Sequence, residues 1–129
     1  MTLPITSLTA VYAALLIIAL TIKVVQLRRR GGVVLGDNDD RVLTKAIRGH
    51  ANATEQLPIS LILMGLAELQ GGPVALLLLG AFLLIAGRTM HAVYFAIHGT
   101  HWRLRFLGMW FTFFAQGALI LALLVALVT

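Results

Sequence analysis

Cysteine is absent from the 129 residues, which rules out a disulfide framework, a thiolate metal site and a cysteine nucleophile. Charge is scarce too. Asp, Glu, Lys and Arg make up 12% of the chain and hydrophobic residues 60%, whereas a soluble domain is roughly a quarter charged. That imbalance points to lipid as the solvent. Acids are the scarcest class, five against ten Lys and Arg, for a net charge of +5. Spread over a polar surface, such a surplus would suit nucleic acid. Here the bases cluster between apolar runs, as in a membrane protein, so no nucleic-acid partner is expected. The four histidines lack a convincing set of carboxylate companions, and no metal is expected. His50, His98 and His101 are given no role.

The apolar residues are arranged in long runs, and a spanning helix takes about 20 of them. The first run, 8–27, is interrupted only by Lys23 and Gln26 near its end. It has neither a basic n-region nor an obvious small-residue cleavage site, so it reads as a retained helix and not a signal peptide. The second run, 57–69, is too short alone; extended back through RVLTKAIRGHANATEQ it becomes a long helix with polar first turns. QGGP at 70–73 is a turn, its glycines stopping one helix and its proline suiting the first turn of the next. Helices are therefore predicted at about 5–28, 42–69, 73–97 and 104–128, in one domain covering 1–129. The fold class is all-α, a four-helix integral membrane bundle.

Orientation follows from the bases. Arg28, Arg29, Arg30, Arg41, Lys45 and Arg48 flank the first connection, and Arg103 and Arg105 flank the third. With four spans these connections share a side, and the positive-inside rule places both in the cytoplasm with the two termini outside. Asp39 or Asp40 suits the N-cap of the second helix.

A polar constellation stands where the second helix enters the apolar region. Arg48, Asn52 and Glu55 lie at i, i+4 and i+7 and share one face. Ionisable groups inside a bilayer turn toward a bundle interior, a neighbouring subunit or a water-filled cavity. Such a cluster is either a polar ligand site near the cytoplasmic interface or a structural Arg–Glu network that ties helices together. Pro58, one turn further on, removes a backbone donor and frees the carbonyl near Thr54. The third helix repeats the pattern with Arg88 and His91, then Tyr94 and Phe95. The fourth places Arg105, Met109 and Thr112 on one face, with Arg103 just outside. Arginines at a membrane boundary often snorkel to lipid phosphate. A ring of them at one level also suits a small, multiply anionic ligand, because guanidinium groups pair with carboxylates through two hydrogen bonds.

RGHANATEQLP, the QGGP turn, GRTMHAVYF and LRFLGM, taken together, resemble the membrane-associated proteins in eicosanoid and glutathione metabolism, especially their bacterial branch. The likeness covers nearly the whole chain. It implies a homotrimer in a bacterial inner membrane. Glutathione would bind as co-substrate between adjacent subunits, with a lipophilic electrophile approaching along the helices. By the same resemblance, Arg48, Asn52 and Glu55 hold the tripeptide, and Glu55 pairs with its amino group. Arg28, or Gln26 near it, reaches a carboxylate from helix one, while Arg88, His91 and Tyr94 line the site from helix three. The catalytic arginine facing the thiol is Arg105 or Arg103, with Arg105 the better fit to its LR-x-x-G context. Gln56 and Phe95 stand where better-known members place tyrosine.

The reaction implied is conjugation of glutathione to an apolar electrophile, or reduction of a lipid hydroperoxide by the same thiolate. A non-catalytic lipid-binding or lipid-presenting protein of the same fold is the alternative. A transporter ranks last, because the helices lack the repeats or breaks expected of one.

Overall fold

The computed structural model describes residues 2–128 and contains four helices: α1 (Pro4–Gly31), α2 (Arg41–Leu69), α3 (Val74–Ala96) and α4 (Arg103–Val128). The expected domain limits at 1 and 129 lie outside the described residues. Each helix begins and ends within a few residues of its expected bounds. α1 runs furthest past its prediction, because Arg28, Arg29 and Arg30 are good helix formers whose charge favours a helix C-terminus. Gly32 stops it in the left-handed region at φ 64°, where Val33 N–H donates back to the Arg28 carbonyl at 3.0 Å.

Between α1 and α2 the Asp37 carboxylate accepts from the Thr44 hydroxyl at 2.7 Å. That bond, with a weaker one from the Asp39 amide, holds its carboxyl below the usual carboxylate range. Asp40 is the α2 N-cap, and its carboxylate accepts from the amides of Val42 and Leu43. α2 then continues through Pro58 as one helix.

α2 and α3 form the centre of the bundle. α1 packs on one flank of the pair and α4 on the other, and among the described residues the backbones of α1 and α4 make no close approach. The core is built from Leu20, Leu57, Met64, Leu77, Leu84 and Leu119. α1, α3 and α4 are long and apolar enough to cross a membrane. α2 is as long, but its first half is the polar segment, so its composition falls short of the other three. Leu8, Leu15 and Ile18 on α1 and Phe113 and Phe114 on α4 are exposed, which suits a lipid-facing surface.

The closest packing is between α3 and α4, where glycine replaces side chain with backbone contact. A Cβ on Gly87 would stand 2.8 Å from the Gly108 carbonyl oxygen, and one on Gly108 would stand 2.7 Å from the Gly87 carbonyl oxygen. Reciprocal small residues of this kind let membrane helices approach where no hydrophobic force drives them together.

At the opposite end from the arginines, one side chain fastens α1 to α2. The first turn of α1 has no side-chain cap of its own. The Glu68 carboxylate from the end of α2 accepts from the amides of Ile5 at 2.9 Å and Thr6 at 2.8 Å, placing a negative charge at the positive end of α1. Glu68→Ala is expected to destabilise the bundle by about 1–3 kcal/mol, the cost of unpaired amides and a lost charge–dipole term. Thermal unfolding in detergent measures this, and an unchanged midpoint would show that the cap contributes nothing.

Candidate functional site

The polar halves of α2, α3 and α4 meet at the basic end of the bundle around an open cavity of about 390 Å³ lined by Arg48, Asn52, His91, Phe95, Arg105 and Met109. Each helix supplies residues one turn apart: Arg48 and Asn52 at i and i+4 on α2, His91 and Phe95 on α3, Arg105 and Met109 on α4. The helical spacing that places them on common faces is thus realised across three elements.

Arg88, expected to line the site, lies behind this wall in the single chain. It is 1% exposed. Its Nη1 donates to Asn52 Oδ1 at 2.8 Å and more weakly to the Asn52 carbonyl, and its Nη2 faces the Met109 sulfur at 3.8 Å. The guanidinium therefore fixes one cavity residue on α2 and another on α4. Its Nε is buried without a partner. A buried charge is costly in a membrane interior, and Arg88 meets that cost by positioning two residues that do reach the cavity.

His91 reaches the cavity. It is 4% exposed, and its ring packs on Phe95 with centroids 4.8 Å apart. Phe95 also fills the space over Gly49, where any Cβ would collide with its side chain. Tyr94 stands beside the cavity, with Lys45 Nζ 4.0 Å from its ring centroid and Arg105 Cζ at 5.8 Å. Glu55 is exposed on the same side of α2 as Arg48.

The remaining expected residues are not brought to the cavity within one chain. Arg103 is exposed at the start of α4, and its amide donates to His101 Nδ1. Gln26 is exposed on α1, and Arg28 turns to the Val34 carbonyl at 3.3 Å. Both belong to the helix on the far flank from α4. Gln56 faces α4, where Gln116 Nε2 donates to Gln56 Oε1 at 3.1 Å and to Ser60 Oγ at 3.2 Å. Gln116 escaped the sequence reading, although a lone amide in an apolar helix was the available signal. Tyr12 escaped it too; its hydroxyl bonds Thr89 Oγ1 at 2.7 Å and the Ile85 carbonyl, linking α1 to α3.

The geometry defines an all-helical membrane protein with a polar, guanidinium-lined cavity opening at the basic end of its bundle. The MAPEG family model matches residues 6–125, and the chain belongs to that family. It is also 37% identical over 118 residues to the inner membrane protein YecN of Escherichia coli, in strain K12 and in strain O6:H1. Those 118 residues are 92% of this chain and 88% of the relative. No solved structure matches it.

Proposed function

We propose that the protein is a glutathione-dependent transferase or peroxidase of a bacterial inner membrane, working as a homotrimer with the basic end of each bundle in the cytoplasm. One observation carries the reading. Arg48 and Arg105 face one cavity without a carboxylate partner among the described residues. Two such guanidiniums suit a ligand with several anionic groups, and glutathione has two carboxylates and an ionisable thiol.

The chemistry follows from that placement. A free thiol with a pKa of about 8.5 is mostly protonated at neutral pH, and a nearby guanidinium stabilises the nucleophilic thiolate. Arg105 is the residue proposed to face the sulfur. Arg48 and Asn52 take the peptide carboxylate and amide groups, and His91 and Tyr94 close the side wall. Arg88 acts as a positioning residue through Asn52. Exposed Glu55 is left to receive the amino group.

The trimer is supported by what one chain lacks. α1 lies across the bundle from α4, so Gln26 and Arg28 complete the site only if a neighbouring subunit brings its own α1 to it. The electrophile, an apolar molecule dissolved in the bilayer, arrives between the same helices.

Titrating the detergent-purified protein with glutathione while following ultraviolet thiolate absorbance tests the reading. A saturable thiolate signal at neutral pH is expected, with a trimer mass in native mass spectrometry. No saturable signal would overturn the enzymatic reading, and a monomer mass would overturn the intersubunit site.

A further inference from the structure

The face of the bundle formed by α1 and α3 has a second basic cavity, which meets the one described at Phe95. Its volume is about 190 Å³, and its polar wall is Lys23 from α1, Arg41 and Lys45 from α2, and His98 just past α3. Three cations thus converge from two helices, and among the described residues no carboxylate pairs with any of them. Lys45 is held in place by the Tyr94 ring beneath it. The rest of the wall is apolar and includes Phe95, Ala96 and Ile97.

Ala96 and Ile97 also line the next depression along the same face. This one is about 200 Å³ and almost wholly apolar, between Leu16, Ala19 and Leu20 of α1 and Ala92 and Val93 of α3. The wall of this depression reaches Thr89, whose hydroxyl bonds that of Tyr12 at 2.7 Å, and Tyr12 also donates to the Ile85 carbonyl. From Lys23 to Tyr12 is eleven residues of helix, about 16 Å at 1.5 Å per residue. Half of a bilayer's hydrocarbon core is about 15 Å. The face therefore offers a cluster of cations and, running inward from it, an apolar groove within the depth of one leaflet.

We propose that this face holds one anionic phospholipid of the basic-side leaflet. Lys23, Arg41 and Lys45 hold the phosphate, and one acyl chain lies along the groove as far as Tyr12. A free phosphate would use the cations and leave the groove without purpose. A zwitterionic lipid would fill the groove but bring its own cation to the three already there. The shared requirement of both halves selects a lipid with net negative charge.

Native mass spectrometry of the full-length protein with phosphatidylglycerol or phosphatidylcholine of matched acyl chains tests this. Phosphatidylglycerol is expected to be retained about tenfold more tightly, because its headgroup brings a net negative charge to the three cations and that of phosphatidylcholine does not. Lys23→Gln with Arg41→Gln should abolish the preference. Arg30→Gln, at an exposed arginine near the end of α1 and outside the cavity, should leave it intact. Ala19→Trp should expel the lipid by filling the groove with no change of charge, which keeps the test sound if the double variant fails to fold. Millimolar inorganic phosphate should not displace the lipid. Equal retention of the two lipids, an equal loss on Arg30→Gln, unaffected binding in Ala19→Trp, or displacement by phosphate would each overturn the proposal.

Discussion

Arg105→Ala is expected to abolish the thiolate absorbance of bound glutathione and to lower turnover with an apolar electrophile by about two to three orders of magnitude, the usual cost of losing one preorganised stabiliser of charge at a reacting atom. Arg48 also lines the cavity, but it stands a full turn before Asn52 on α2 and is assigned to a carboxylate. The proposed site therefore leaves the sulfur to Arg105. Glutathione binding should persist in weakened form, because Arg48 and Asn52 remain, so the loss falls on kcat more than on KM. Arg103→Ala should keep both signal and turnover, since Arg103 lies outside the cavity wall. Raising the pH should partly rescue Arg105→Ala, because an unassisted thiol ionises on its own as pH passes its ordinary value of about 8.5. A full thiolate signal in Arg105→Ala, or its loss in Arg103→Ala, would remove Arg105 from the proposed role.

Most of the architecture was legible because it rests on local signals. Apolar run lengths set the helices, QGGP set one of their limits, and the spacing of Arg48 from Asn52 and of Arg105 from Met109 set which side chains share a face. What escaped is what tertiary packing decides. Glu68 is an isolated acid near a helix end and reads as solvated, yet the fold carries it under the amides of Ile5 and Thr6, more than sixty residues away in sequence. Arg88 and His91 stand one turn apart on the same helix and read alike. The difference between a buried arginine that grips Asn52 and a histidine that faces the cavity depends on how closely α4 approaches, and no spacing along α3 encodes that distance. Gln56 drew notice only as a departure from the tyrosine of better-known relatives. Its partner is Gln116, sixty residues on.

That approach distance is set by glycine, and it yields the largest expected effect on the fold. A Cβ at position 108 would stand 2.7 Å from the Gly87 carbonyl oxygen, 2.8 Å from the His91 amide nitrogen and 3.0 Å from His91 Cβ. The first two are backbone atoms, which no rotamer change can move aside. Gly108→Val must therefore part α3 from α4 at their tightest crossing, at a cost of about 3 kcal/mol or more, the upper range for overpacking against a rigid surround. The same crossing positions His91, Arg88 and Met109, so the cavity should lose its shape with it. The expected result in detergent is a lowered thermal midpoint together with loss of the glutathione-induced thiolate signal. Gly117→Ala provides the contrast. Gly117 lies on the same helix, is exposed, and nothing lies within 4 Å of a Cβ added there; the change should be neutral or stabilise by about 0.5–1 kcal/mol through helix propensity. If Gly108→Val unfolded at the wild-type temperature, the α3–α4 crossing would not be the joint that holds the site together. If Gly117→Ala lowered the midpoint as much as Gly108→Val, the cost would lie in α4 accepting any added side chain and not in this backbone contact.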